Sequence, residues 1–333
     1  MKKMINGDNR NSAYPIIAHW AIEATKNMEA NHWSAKEVNL SDDIMDIKSG
    51  KISEQQLKQI KYVLAFFLNS ESIISRGVTD ILRRHTTCVE FANALSMQSL
   101  QELLIHHPTY DKMLGICASD EEREYITKLA NECPEILAKN NFADVYVKHM
   151  DNDTFNLNTL ENKQDYALAL IIFGLVMEGI FFYPGFAQLL CMKNWNILKR
   201  CNENVVYIAR DEAVHVNLAI NAFNHLIAEN PEIITNLFKY RVSELIKRAI
   251  DIEDKYIDLS VSLDILGFNP ELAKSFTREI ANRRLVSIGF EAIFEVKIPN
   301  ALPWLSTVLD INKETNFFEG KVTDYQINQL DWD

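Results

Sequence analysis

A chain of 333 residues with 47% hydrophobic and 24% charged residues has the composition of a globular protein long enough to bury a large core. Its net charge of −12 and isoelectric point near 5.2 argue against the basic stripe that an extended phosphate-binding surface needs, so nucleic acid is not an expected partner. Ten glycines and eight prolines are few for this length, which favours long helices.

Residues 1–30 are weakly patterned, and Pro15 interrupts any early helix, which predicts an extended or loosely packed arm. The opening MKKMINGDNRN lacks the apolar centre of a secretory signal. Five cysteines, Cys88, Cys117, Cys133, Cys191 and Cys201, are odd in number and share no metal-type spacing. Together these features predict a reduced, cytoplasmic protein. Ser53 and Gln56 have capping-box spacing, and Ile60, Val63, Leu64, Phe67, Ile74, Val78 and Leu82 then recur at three and four, predicting a helix to about Arg84 with Glu71 in its middle. A second helix is expected from Thr87 to His106 or beyond. Its apolar positions are Phe91, Leu95, Leu100, Leu103 and Leu104, with Glu102 among them, and Pro108 predicts a kink. After a connector around Asp120, a helical segment and a polar loop over residues 151–158 lead to the most apolar stretch of the chain. Beyond it, helices are expected over residues 202–229, 231–266 and 270–295. No alternation long enough for a sheet occurs, so the expected fold is all-α, with an arm (1–30), a helical domain (31–311) and an acidic, aromatic-tipped tail (312–333).

The apolar stretch, residues 166–192, reads YALALIIFGLVMEGIFFYPGFAQLLCM and carries one ionisable carboxylate or base, Glu178. Its length suits a membrane span, but Glu178, Pro184, three glycines and the lack of flanking basic clusters favour a helix buried on all sides of a bundle. An unpaired ionised carboxylate there is costly, so Glu178 must be protonated, paired with a cation, or bound to metal.

Glu212 and His215 stand at i and i+3 on the following helix, facing one side with Ile208 and Ala219. The spacing alone is weak evidence: Glu29 and His32 share it in a stretch with no core face, where metal ligation is not expected. Wider context is stronger. Glu71 precedes Glu102 by 31 positions and Glu178 precedes Glu212 by 34, so each half offers a carboxylate from one helix and a carboxylate with a nearby histidine from the next. That is the donor set of a dinuclear centre in a four-helix bundle, and oxygen-rich donors with one imidazole per metal suit iron or manganese.

EGIFFYPGF, with the Glu of ARDEAVH 34 positions after its own, FFLNSES upstream and TNFFEGKVTDY near the end, resembles the small, radical-generating subunit of class I ribonucleotide reductase. The resemblance runs from about Trp33 to the end of the chain. It implies a ferritin-like helical homodimer with two iron ions per chain, or manganese or a mixed pair, that uses oxygen to oxidise a nearby tyrosine. The radical equivalent would pass to a large subunit that reduces ribonucleotides. The implied ligands are Glu71, Glu102, a histidine on the helix of Glu102, Glu178, Glu212 and His215.

One position departs from the family pattern Glu-x-x-His-x-x-x-Tyr: the chain reads ELLIHHPTY, with Ile105 where histidine is expected. The favoured reading pairs Glu102 with His106, the extra residue being absorbed as a π-bulge. Rival readings put Leu103 at the carboxylate position or make His107 the ligand. Tyr110, four residues after His106, is the radical position by resemblance; a buried tyrosine with a satisfied hydroxyl is the ordinary alternative. Phe182, Phe186 and Ile208 would wall it off from water. The implied transfer path runs from His106 through Asp211 to Trp33 and then to Tyr325, although Asp211 could equally pair with Arg210. Leu330 and Trp332 would dock the tail on the large subunit. Competing functions are a self-contained two-metal oxidase or hydroxylase, indifferent to loss of the tail, and a non-enzymatic metal-binding scaffold.

Overall fold

The computed structural model describes residues 2–8, 11–261 and 267–305. The segment from residue 312, with Tyr325, Leu330 and Trp332, lies outside the described residues. Among the described residues there are helices and loops and no strand, as the all-α expectation required.

The described residues among the N-terminal thirty pack more closely than their pattern predicts. After a segment in which Met4 and Ile5 are buried, helix α1 (His19–Ala30) buries Ala21, Ala24 and Met28. The Met4 amide donates to Glu229 at 2.9 Å and Lys2 pairs with Glu90 at 2.8 Å, so long-range contacts, invisible to periodicity, hold this stretch on the bundle. Helix α2 (Ser41–Lys48) is short. Helix α3 (Glu54–Arg76) starts at the capping box of Ser53 and Gln56 and continues through a π-helical segment, Gly77–Arg83, close to the predicted end. Helix α4 (Val89–Gln101) passes through a second π segment, Glu102–His106, into α5 (His107–Cys117). The helix runs on through Pro108 directly after this wide turn. A second capping box, Ser119 with Glu122, starts α6 (Asp120–Glu132) where a connector was expected; α7 (Pro134–Asn140) and α8 (Phe142–Val147) follow.

The apolar stretch is the axis of the fold. Helix α9 (Leu160–Leu170), a π segment (Ile171–Phe181) and α10 (Phe182–Leu190) form one rod, whose most apolar window is wholly buried inside the protein. Two glycines allow its close packing. A Cβ on Gly174 would lie 2.0 Å from the Ala219 Cβ, and one on Gly185 would lie 2.6 Å from the Phe67 ring. Helix α11 (Lys199–Glu229) packs along the rod. Its first turn is capped from a distance: Asp43 of α2, fully buried, accepts from the amides of Arg200 (3.1 Å) and Cys201 (2.6 Å). Helix α12 (Asn236–Ser260) and α13 (Pro270–Ser287) close one side; both end before their expected limits. The core four-helix arrangement is α3, α4–α5, α9–α10 and α11.

One expected core face holds at Phe91 and Leu95, which are buried, and is overturned further along. Leu100, Leu103 and Leu104 are 38%, 44% and 65% exposed, because the inward face of their helix holds Gln98, Gln101, Glu102 and His106. Polar residues occupy the side where apolar ones were predicted.

Candidate metal centre

Glu71 of α3, Glu102 and His106 of the π segment after α4, Glu178 of the rod, and Glu212 and His215 of α11 all have zero exposure. Their donor atoms form two groups, Glu71–Glu102–His106–Glu212 and Glu102–Glu178–Glu212–His215, each with all atoms within 4.8 Å of one another. Glu102 and Glu212 belong to both. Glu102 spans the pair: Oε2 lies 3.0 Å from His106 Nδ1 and Oε1 lies 2.9 Å from His215 Nδ1. Glu212 sits opposite, 3.1 Å from His106 Nδ1 and 3.4 Å from His215 Nδ1. Each imidazole thus turns Nδ1 into the cluster and Nε2 outward.

The outward nitrogens are held. His106 Nε2 is 3.4 Å from Asp211 Oδ2, and His215 Nε2 is 2.9 Å from Gln101 Oε1. Gln98 donates to Glu178 at 2.5 Å. Asp211 was foreseen as an orienting carboxylate; the two glutamines were not. Gln98 had a usable signal, since it lies four residues before Glu102 on the same face. Gln101 is adjacent to Glu102 and has no such signal.

The π turn answers the irregular ELLIHH. The His107 amide bonds back to the Glu102 carbonyl, five residues earlier, which widens the turn and leaves Glu102 and His106 both inward. Leu103 points to solvent and His107 is half-buried away from the cluster. Glu29 and His32 are exposed, as expected for spacing without a core face.

The donor set fits a pair of metal ions. Both oxygens of Glu71 and of Glu212, Glu102 Oε1, Glu178 Oε2 and His215 Nδ1 are buried without a hydrogen bond among the described residues. Such orphaned acceptors are rare in folded proteins unless an ion or water satisfies them. Burial and then the charge of Glu102 push Glu71 well above the usual carboxylate range, and burial and then Glu212 do the same to Glu178. Burial opposes ionised Glu102 too, but the neighbouring carboxyl of Glu71 and the two imidazoles hold it well below that range. Burial disfavours imidazolium at both histidines, yet the facing carboxylates, Glu102 first, raise both well above the ordinary value. Carboxyls driven to hold protons are ones from which divalent cations release them.

Tyr110 of α5 is fully buried, its ring 4.8 Å from Phe67, which in turn touches Phe182 (5.1 Å) and Phe186 (5.3 Å). Phe182, Phe186 and Ile208 have zero exposure; Phe67 was expected in the core but not as the ring against Tyr110. The Tyr110 hydroxyl has no hydrogen-bond partner among the described residues. Burial and then the charges of Glu71, Glu212 and Glu102 push its pKa well up, so it holds its proton. On the other side, Trp33 Nε1 donates to Asp211 Oδ2 at 2.7 Å, and its ring is stacked at 6.3 Å from that of His106. Asp211 also accepts from Arg210 at 3.0 and 3.2 Å, so it touches Arg210 as well as Trp33 and His106.

The sequence pattern described as "Ribonucleotide reductase, small chain" matches residues 10–301. The "Ribonucleoside-diphosphate reductase subunit beta" of Chlamydia pneumoniae is 33% identical over 326 residues, covering 97% of this chain and 92% of its own length. The ribonucleotide reductase R2 subunit of Clostridium botulinum superposes with a TM-score of 0.82 at 23% identity, covering 92% of this chain and 94% of its own. The dimanganese(II) NrdF of Streptococcus sanguinis does so at 0.72 and 17%, covering 90% and 98%. At these identities the structural likeness is one of fold.

Proposed function

Since the chain belongs to the ribonucleotide reductase small-chain family, we propose that its buried cluster holds two metal ions beside Tyr110, that Tyr110 carries the radical, and that this equivalent leaves through Trp33 to a large subunit that reduces ribonucleotides. The observation that carries this reading is the pair of donor groups sharing Glu102 and Glu212, with the hydrogen-bonded line His106–Asp211–Trp33 leading away from it.

Glu71 and His106 would hold one ion, Glu178 and His215 the other, and Glu102 and Glu212 both. Iron is the proposed metal; manganese, as in the Streptococcus sanguinis neighbour, suits the same donors. With oxygen, metals held there would supply the oxidising power. The protein's part is placement and protection. Asp211 and Gln101 fix the ring orientation of the histidines so that each Nδ1 faces inward. Phe67, Phe182, Phe186 and Ile208 keep water from Tyr110. Its hydroxyl, bonded to no other protein group among the described residues, gives up its proton on the side of the carboxylates whose charges it feels. Asp211 holds the indole N–H of Trp33 and can take that proton while the indole is oxidised.

Electron paramagnetic resonance after metal loading and oxygen tests the radical assignment. A tyrosine-centred signal is expected in the parent and its loss in Tyr110→Phe; an unchanged signal sinks the assignment. Tyr325 and the apolar end of the tail are proposed as the contact with the large subunit, so deletion of residues 325–333 should abolish nucleotide reduction and spare the radical. A self-contained oxidase would be indifferent to that deletion. The exposed Leu100, Leu103 and Leu104 support a homodimer, as adjacent apolar side chains on one helix commonly mark an interface. Sedimentation of Leu104→Glu as monomer is the expected result, and an unchanged dimer would move the interface elsewhere. The cytoplasmic assignment is supported by five free, buried cysteines.

A further inference from the structure

The π segment that carries Glu178, Ile171–Phe181, is held from two neighbouring helices. Gly174 and Gly179 stand five residues apart within it, the span of one π hydrogen bond. Ala219 of α11, four residues after His215, fills the space over Gly174, where a Cβ would lie 2.0 Å from its own. Arg284 of α13, half-buried, fills the space over Gly179: a Cβ there would meet its Nε at 3.1 Å and the Gly174 carbonyl oxygen at 3.0 Å. Arg284 Nε donates to the Gly179 carbonyl at 3.4 Å, and its guanidinium carbon lies 4.9 Å from the Tyr183 ring centroid. The register gives this carbonyl a use for an outside donor. The residue five positions on, from which a π turn takes its N–H, is Pro184, which has none.

We propose that Arg284 is a positioning residue for the metal centre: by holding the Gly179 carbonyl it keeps the rod in its wide turn, and so keeps the adjacent Glu178 directed at His215, whose Nδ1 is 4.0 Å from Glu178 Oε1. The inference rests on the reading that the cluster holds two metal ions. The reason is one of helix phase. A π turn holds about one residue more than an α turn, so a return to α geometry would rotate Glu178 by about 100° relative to Phe182 and Phe186 on α10. Glu178 would then leave the group Glu102–Glu178–Glu212–His215, in which its Oε2 has no hydrogen-bond partner among the described residues. The group Glu71–Glu102–His106–Glu212 would keep every donor. Gln98, which donates to Glu178 at 2.5 Å, acts on the carboxylate itself, whereas Arg284 acts on the backbone behind it. The clamp therefore bears on one ion of the pair.

Arg284→Met keeps an apolar stem over Tyr183 and removes the donor. Titrated with manganese(II) in the absence of oxygen, the parent should bind two ions per chain; the variant should bind one as tightly and the other about 10–100-fold more weakly, the range typical of residues that orient a ligand. At two equivalents of manganese(II), electron paramagnetic resonance should show a coupled pair in the parent and an isolated ion in the variant. Arg284→Lys, which keeps a donor, should recover part of the lost affinity. In the metal-free protein, amide hydrogen exchange should quicken in Arg284→Met over residues 174–183 and stay unchanged over residues 102–106. A merely structural role lowers the unfolding midpoint and leaves both ions in place. That result overturns the proposal, as does equal weakening of both ions or a lysine variant no better than the methionine one. Fewer than two ions in the parent would instead overturn the two-metal reading, and this proposal with it.

Discussion

The dinuclear cluster and the Lys139–Glu253 pair both bury ionisable side chains at zero exposure, and they solve the problem differently. In the second, Lys139 of α7 lies 2.8 Å from Glu253 Oε2 of α12, its ammonium 3.6 Å from the Phe66 ring centroid and 3.9 Å from that of Tyr256, and it donates to the Phe181 carbonyl at 3.3 Å. One cation meets one anion, and aromatic faces help to solvate the cation. The cluster around Glu102 instead sets four carboxylates against two imidazoles. With neutral histidines as ligands, two divalent cations would balance its charge. Burial of charge is thus not itself a mark of function: one set balances within the chain, whereas the other would be balanced by the ions it is proposed to hold.

The largest expected effect tests the shared carboxylates. Glu102→Ala removes a donor from both groups and should lower metal affinity by more than the about 10–100-fold typical of orienting residues, emptying both positions; Glu71→Ala should empty one. Elemental analysis of the purified variants distinguishes the two. Equal metal content in both variants would break the contrast between shared and unshared donors.

Next in size is the internal pair. Lys139→Met leaves Glu253 buried without its cation and should destabilise the protein by about 3–5 kcal/mol in denaturant unfolding, with metal content unchanged. The double variant Lys139→Met/Glu253→Leu, which removes both charges, should recover most or all of that loss. If the double variant is as unstable as the single one, the pair has a role that charge balance does not describe.

The smallest effect is a pH slope. Burial lowers Lys139 to about 8, and it raises Glu253 to about 7, against the opposing influence of each partner. Between the ordinary carboxylate value and about 7 the folded state binds the extra proton at Glu253, so this group's contribution to stability falls as pH rises. Above about 8, up to the ordinary lysine value, the unfolded state binds the extra proton at Lys139, so stability rises with pH. The difference in unfolding free energy between parent and double variant should therefore pass through a minimum between about 7 and 8. A flat difference across that range would refute the shifts.

Much of the site was legible because its logic is local. Glu212 and His215 share a helix face by spacing, Glu178 stands alone in an apolar run, and both facts survive any tertiary arrangement. Glu102 with His106 was readable only as a choice among pairings, because a π turn depends on how the helix is packed as well as on its letters. Leu100, Leu103 and Leu104 misled for a related reason: apolar periodicity assigns leucines to the interior, but here that face is taken by donors. Gln101, the Asp43 cap on α11 and the Lys139–Glu253 pair join residues far apart in sequence, where no periodicity reaches.

The sequence alone determined the helical class, the buried rod and the set of carboxylates and imidazoles from which a dinuclear centre can be built, since these follow from apolar period, helix spacing and the cost of a lone buried charge. Only the tertiary structure decided which donors lie in both groups, which histidine nitrogen faces inward, and that Trp33 bonds to Asp211. Those are distances between helices, and they are set by side-chain packing at positions such as Gly174 and Gly185, where the approach of one helix to another depends on a single missing methyl group.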